Sequence, residues 1–114
     1  MKKMKVLMVE PGKHPYELEM EPSLQSMYAA LECETITATY PWEDAVGLVT
    51  DDEGLFTDKL PNRYIPELEQ YIKGNFFLCG LSEDNFVDLP EELMKKYRKR
   101  FWAPERFIQT EGRI

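Results

Sequence analysis

The chain has 114 residues, enough for one domain around a single core of ordinary size, and its longest apolar runs fall far short of the ~18 residues of a membrane span. Hydrophobic residues make up 43% and fourteen are aromatic, so the 31% charged fraction belongs to the surface of a folded globule, not to a disordered chain. Charge is unevenly placed within the net −7: Val6 to Met94 hold nineteen Asp/Glu against Lys13, Lys59, Arg63 and Lys73, whereas residues 95–114 carry seven basic and two acidic. Such an acidic body disfavours direct nucleic-acid binding and favours a protein partner with a basic surface, including surfaces that other proteins use to hold nucleic acid.

Lys5 to Glu10 is a short apolar run that reads as a buried strand, too brief for the core of a signal peptide. A cytoplasmic address is the expectation. Pro11-Gly12-Lys13-His14-Pro15 is a turn, and Tyr16 to Met20 then alternates apolar with acidic, the period of a half-exposed strand. Pro22 suits a helix's first turn, and Leu24, Met27, Tyr28 and Leu31 place one apolar face on that helix. From Glu34 to Tyr40 the period becomes two, with Ile36, Ala38 and Tyr40 opposite three threonines. Pro41-Trp42-Glu43 turns the chain into a strand from Asp44 to Thr50, and Asp51-Asp52-Glu53-Gly54 is a further turn.

Leu60-Pro61-Asn62-Arg63 reads as a loop, and Pro66 to Lys73 as a short helix with Leu68 and Ile72 four apart and Gly74 as its stop. Asn75 to Gly80 is apolar enough to be a central strand, and Ser82 to Val87 a connection. Asp88 with Glu91 forms a capping-box pattern that opens a last helix, whose Leu89, Leu93, Tyr97 and Phe101 share a face, and Pro104 limits it. The expected fold is α+β: one compact domain over residues 1–114, with a mainly antiparallel sheet of about five strands and two main helices.

No catalytic or metal-binding motif stands out, and no cofactor is expected. Cys33 and Cys79 are far apart, without a CxxC partner, and read as free thiols. His14 follows a strand beside Lys13, but neither a phosphate-loop motif nor a tied nucleophile accompanies it. The run Lys95-Lys96-Tyr97-Arg98-Lys99-Arg100 ends a helix whose first turn holds Glu91 and Glu92, so it complements the helix dipole before it argues for phosphate binding. Two candidate sites remain. Tyr40 and Trp42 beside Glu43, Asp44, Asp51 and Asp52 would present aromatic anchors and carboxylates to a basic protein partner. Alternatively Lys13, Asn62 and Arg63 would receive a small phosphate- or carboxylate-bearing ligand, unless Arg63 pairs with a carboxylate of the Asp51–Glu53 turn.

Taken in order, Val6-Leu7-Met8-Val9-Glu10-Pro11-Gly12-Lys13, Leu24-Gln25, Tyr40-Pro41-Trp42-Glu43-Asp44, Asp52-Glu53-Gly54, Leu60-Pro61-Asn62-Arg63 and Gly74-Asn75-Phe76-Phe77 with Gly80 resemble the domain-of-unknown-function family numbered 3846. The closing acidic-to-basic helix completes the likeness. The resemblance implies a small protein of phages and conjugative elements and carries no catalytic residues. The family tends to have glycines where Leu31-Glu32-Cys33-Glu34 stands here. The expectation is a non-enzymatic interaction protein, one that antagonises a host defence system such as a CRISPR nuclease by covering a basic surface. A small-ligand or nucleotide-signal sponge is the alternative, and a homodimer through a sheet edge stays open.

Overall fold

The computed structural model describes residues 3–54, 58–83 and 85–105. Residues 55–57 lie outside them, as do 106–114 with the last basic residues. The strands β1 (Met4–Val9), β2 (Tyr16–Met20), β3 (Ile36–Thr39), β4 (Val46–Asp51) and β7 (Phe76–Ser82) form an antiparallel sheet in the order β2-β1-β7-β4-β3. The sixth strand of this sheet, β8 (Asn85–Val87), pairs back on β7, and β5 (Pro61–Ile65) with β6 (Gln70–Lys73) makes a separate two-stranded sheet. Helices α1 (Leu24–Leu31) and α2 (Glu91–Arg100) complete an α+β domain.

The period of two in the strands divides the core in half. Val6, Met8, Val49, Phe77 and Cys79 point to one face, where Met27 and Leu31 of α1 cover them. Leu7, Val9, Leu48, Phe76 and Leu78 point to the other, under Met94, Tyr97 and Phe101 of the α2 segment and Ile65 and Ile72 of the β5–β6 hairpin. Central β7 is buried from Phe76 to Gly80, as its apolar run predicts. At Gly80 a Cβ would run into the main chain of Asp88, so only glycine lets the segment after β8 cross there.

Three expectations are corrected. Residues 60–73 form a hairpin with a 3-10 turn at Pro66–Leu68, not a loop and a helix. Tyr64 pairs with Tyr71 across the strands, and burying Ile65 and Ile72 on the inner face outweighs the local helical spacing. Residues 85–87 are a strand, where a plain connection was expected. The last helix is capped at Pro90, not Asp88. Leu89 precedes a proline and is pushed out of the helical region, while the Asp88 carboxylate accepts the Lys5 N–H (2.9 Å) and Leu89 N–H bonds the Lys5 carbonyl (2.9 Å). At the other helix Ser23 is the N-cap, accepting from Ser26 N–H (3.2 Å). No helix among the described residues is long and apolar enough to cross a membrane.

Candidate interaction surface

The loop from β3 to β4 holds the first aromatic candidates, and α2 claims most of it. The Trp42 ring packs on Tyr97 (4.9 Å between centroids) and Phe101 (6.2 Å), with the Arg100 guanidinium over it at 5.2 Å. Asp44 accepts from Lys96 Nζ (2.7 Å) and Tyr97 Oη (2.8 Å), which hold its carboxyl below the ordinary value. Burial and the same carboxylate push the Tyr97 phenol up. This loop is thus a clamp on α2. Tyr40, 58% exposed, Glu43 and Ala45 are what it offers to solvent.

Asp51 and Asp52 are not beside it. Asp51 ends β4 and Asp52 follows it, about 17 Å from Val46 at ~3.3 Å per residue, so the structure splits the six candidates into two groups. Asp51 is paired with Lys59 Nζ (3.2 Å), which also donates to the Leu31 and Glu32 carbonyls (3.0 and 2.5 Å) and so caps the end of α1. Asp52 is exposed.

Asn62 and Arg63 are buried, with Arg63 only 1% exposed, and both face inward. The Asn62 amide donates to the carbonyls of Val9 (2.9 Å) and Gly74 (2.8 Å). Arg63 Nε and Nη2 donate to the Phe101 carbonyl (3.2 and 2.8 Å), Nη2 also to that of Lys13 (2.8 Å), and Nη1 to Asn62 Oδ1 (2.8 Å) and its carbonyl (3.3 Å). Burial lowers the guanidinium's pKa, with Glu105 opposing. These acceptors are neutral, so the expected pairing with the Asp51–Glu53 turn is not what holds it. The negative end of α2 stands in for a carboxylate. Lys13 contributes its carbonyl, and its amine pairs with Glu10 (3.2 Å). The three residues are brought together, but as a staple between the ends of β1 and α2.

The remaining singled-out residues are also held within the fold. His14 stacks on Trp102 (4.0 Å, 9° between planes) and shares a hydrogen bond with its carbonyl (2.6 Å). Cys33 and Cys79 are free thiols, and burial pushes Cys79 up to about 12. No group of three metal-ligating side chains occurs among the described residues. In the basic run, Lys96 pairs with Asp44 (2.7 Å), Arg98 with Glu17 (3.7 Å) and Arg100 with Glu67 (2.6 Å), tying α2 to three other elements.

Lys95 and Lys99 of α2 have no ion pair among the described residues, and one group of carboxylates shares that state. Asp52 N–H bonds the Thr35 carbonyl (3.1 Å), which sets Glu34 beside Asp52 and Glu53, and the Lys59 cap brings Glu32 to the same end of the sheet. No ion pair reaches these four carboxylates among the described residues. Next to them is a shallow cleft of about 90 Å³ lined by Thr37, Thr50, Asp51, Gln70 and Tyr71. Glu53 belongs to the turn that the sequence already reads with Asp51 and Asp52, whereas Glu32 and Glu34 are not singled out there, because only the Lys59 cap and the pairing of Thr35 with Asp52 bring them to it.

The family model described as Domain of unknown function (DUF3846) matches residues 4–102, nearly the whole described chain. The chain belongs to this family. No curated protein and no solved structure matches it. The DUF3846 match covers the clamp loop, the Asn62–Arg63 staple and the acidic end alike.

Proposed function

We propose that this DUF3846 protein is a non-enzymatic interaction protein that binds and covers a basic, nucleic-acid-binding surface of another protein. One observation carries the reading: three of the five cations of α2, Lys96, Arg98 and Arg100, are engaged within the fold, while Glu32, Glu34, Asp52 and Glu53 stand together at one end of the sheet with no ion pair among the described residues. A field of one sign raises the encounter rate with a basic partner and opposes nucleic acid itself. A phage or mobile-element protein that blocks a host defence nuclease, such as a CRISPR nuclease, would use this mode of competition. The sponge reading loses its main support, because Asn62 and Arg63 donate inward and Lys13 is paired.

The test is capture from a host lysate at low and high salt, with the parent and with the variant Glu32→Gln/Glu34→Gln/Asp52→Asn/Glu53→Gln. A nucleic-acid-binding protein recovered at low salt, and lost both at high salt and with the variant, is the expected result. Capture insensitive to both, or recovery of a nucleotide alone, overturns the proposal.

A further inference from the structure

The sheet ends on two free edges, β2 and β3. Backbone geometry fixes what β3 offers. Ile36 is registered with Asp51 and Thr37 with Thr50, and the Asp52 N–H bond to the Thr35 carbonyl makes Thr35–Asp52 a hydrogen-bonded pair. In an antiparallel ladder such pairs alternate, so Thr35, Thr37 and Thr39 exchange bonds with β4, and the N–H and C=O groups of Ile36 and Ala38 point away from the sheet. No backbone bond reaches these outward groups among the described residues. All four residues of β3 are half-buried and uncharged, and no proline or lysine blunts the edge.

The surroundings of β3 select for charge. Its start adjoins the unpaired carboxylates Glu34 and Asp52, and its end leads to the exposed Tyr40 ring. Edge β2 differs: Arg98 of α2 reaches Glu17, and Lys5 is registered with Glu19. A basic strand arriving at β2 meets Arg98 beside the glutamates of that edge, whereas one arriving at β3 meets carboxylates with no paired cation next to them. A second copy of this chain would add −7 to −7.

We infer that the edge of β3 takes up an extended, lysine- or arginine-bearing segment of a protein partner as an added antiparallel strand, bonded to the outward main-chain groups of Ile36 and Ala38. The inference rests on the acidic-interaction reading above and specifies the surface and the conformation of what it binds. Main-chain bonds supply the docking, and the carboxylates at the start of β3 supply the preference for basic side chains.

The experiment uses a capped peptide of about eight residues alternating Lys and Val, and a helix-forming Lys/Ala peptide of equal charge. Binding is read by anisotropy and by amide hydrogen exchange on the full chain. The strand-forming peptide is expected to bind, to slow exchange at Ile36 and Ala38, and to weaken about tenfold or more with Ala38→Pro, which removes one outward donor at an edge position. Thr37→Lys, which leaves the backbone intact and adds a repelling charge, is expected to weaken it too, and serves where Ala38→Pro lowers folding. Equal binding of the helical peptide without protection of the two amides overturns strand addition while leaving the acidic reading standing. Binding of neither peptide overturns both. Protection of Ile36 and Ala38 that grows with protein concentration alone assigns the edge to a second copy and overturns the inference.

Discussion

Replacing Arg63 tests the idea that this residue is a staple and not a ligand site. Its five donor contacts span 2.8–3.3 Å and end on neutral oxygens of Lys13, Asn62 and Phe101. Arg63→Ala would leave those buried acceptors unsatisfied, at roughly 1–3 kcal/mol each, and would open a cavity. Relief from burying a cation returns part of this, so a net loss of about 3–5 kcal/mol is expected. For a domain of this size that is a fall in Tm of very roughly 10–20 °C. Urea unfolding should show a lower midpoint at an unchanged slope. Since the acceptors carry no net charge, the loss should be nearly the same at low and high salt. Arg63→Lys should recover only part of it, because an ammonium cannot span the Phe101 and Lys13 carbonyls and Asn62 Oδ1 together. A loss below about 0.5 kcal/mol, or one that high salt largely removes, would refute the staple.

Two further outcomes concern stability. Asp44, Glu67 and Glu10 have folded pKa values below their ordinary ones, through bonds from Lys96, Arg100 and Tyr16 respectively, so each contributes stability that is full above the ordinary carboxylate range and is lost as pH falls through the depressed value. The urea midpoint should therefore drop between about pH 5 and about pH 2, and Asp44→Asn should flatten that drop; an unchanged slope in the variant removes Asp44 as a contributor. Glu32 closes α1 with φ +54°, a left-handed conformation in which glycine is favoured. Glu32→Gly is expected to stabilise by about 0.5–1 kcal/mol in thermal unfolding, and a lower Tm would contradict that account.

Strands β1, β2, β3, β4 and β7 and both helices were legible because each carries its own period or its own apolar run. The β5–β6 hairpin was not. Leu68 and Ile72 are four apart and Pro66 is a good first helical residue, so local order imitated a helix; only the pairing of Tyr64 with Tyr71 and burial of Ile65 with Ile72 decide otherwise. The tight turn into β8 lacks the Asn-Gly or Asp-Gly cue, and Glu83 takes the positive φ instead. For the site, the acidic excess and the dipole-matched end of α2 were readable, but the placement was not. Trp42 looked like an anchor because nothing local shows that α2 returns to cover it, and Asp44 and Asp51 looked like one cluster because their separation is the length of β4.

Local energetics do not account for where the carboxylates stand. Among the described residues, the three non-glycine positions with positive φ are Glu32, Glu69 and Glu83, all exposed. Glycine or asparagine would be lower in energy at each. Glu32 and Glu69 also follow the carbonyl ends of α1 and the 3-10 turn, where a negative charge opposes the dipole. Lys59 offsets this at Glu32 by bonding the last carbonyls of α1, so a scarce cation of the acidic body is held inside the fold there too. The same direction recurs at Arg63 and at Lys96, Arg98 and Arg100 of α2, whose cations bind parts of the molecule to one another. Screening in physiological salt still leaves such a field active over ~8 Å, the distance at which a basic partner first orients before contact. Folding alone would favour the opposite choice at each of these three turns, and a charge distribution that costs local stability while projecting outward is what the proposed association with a basic partner would use.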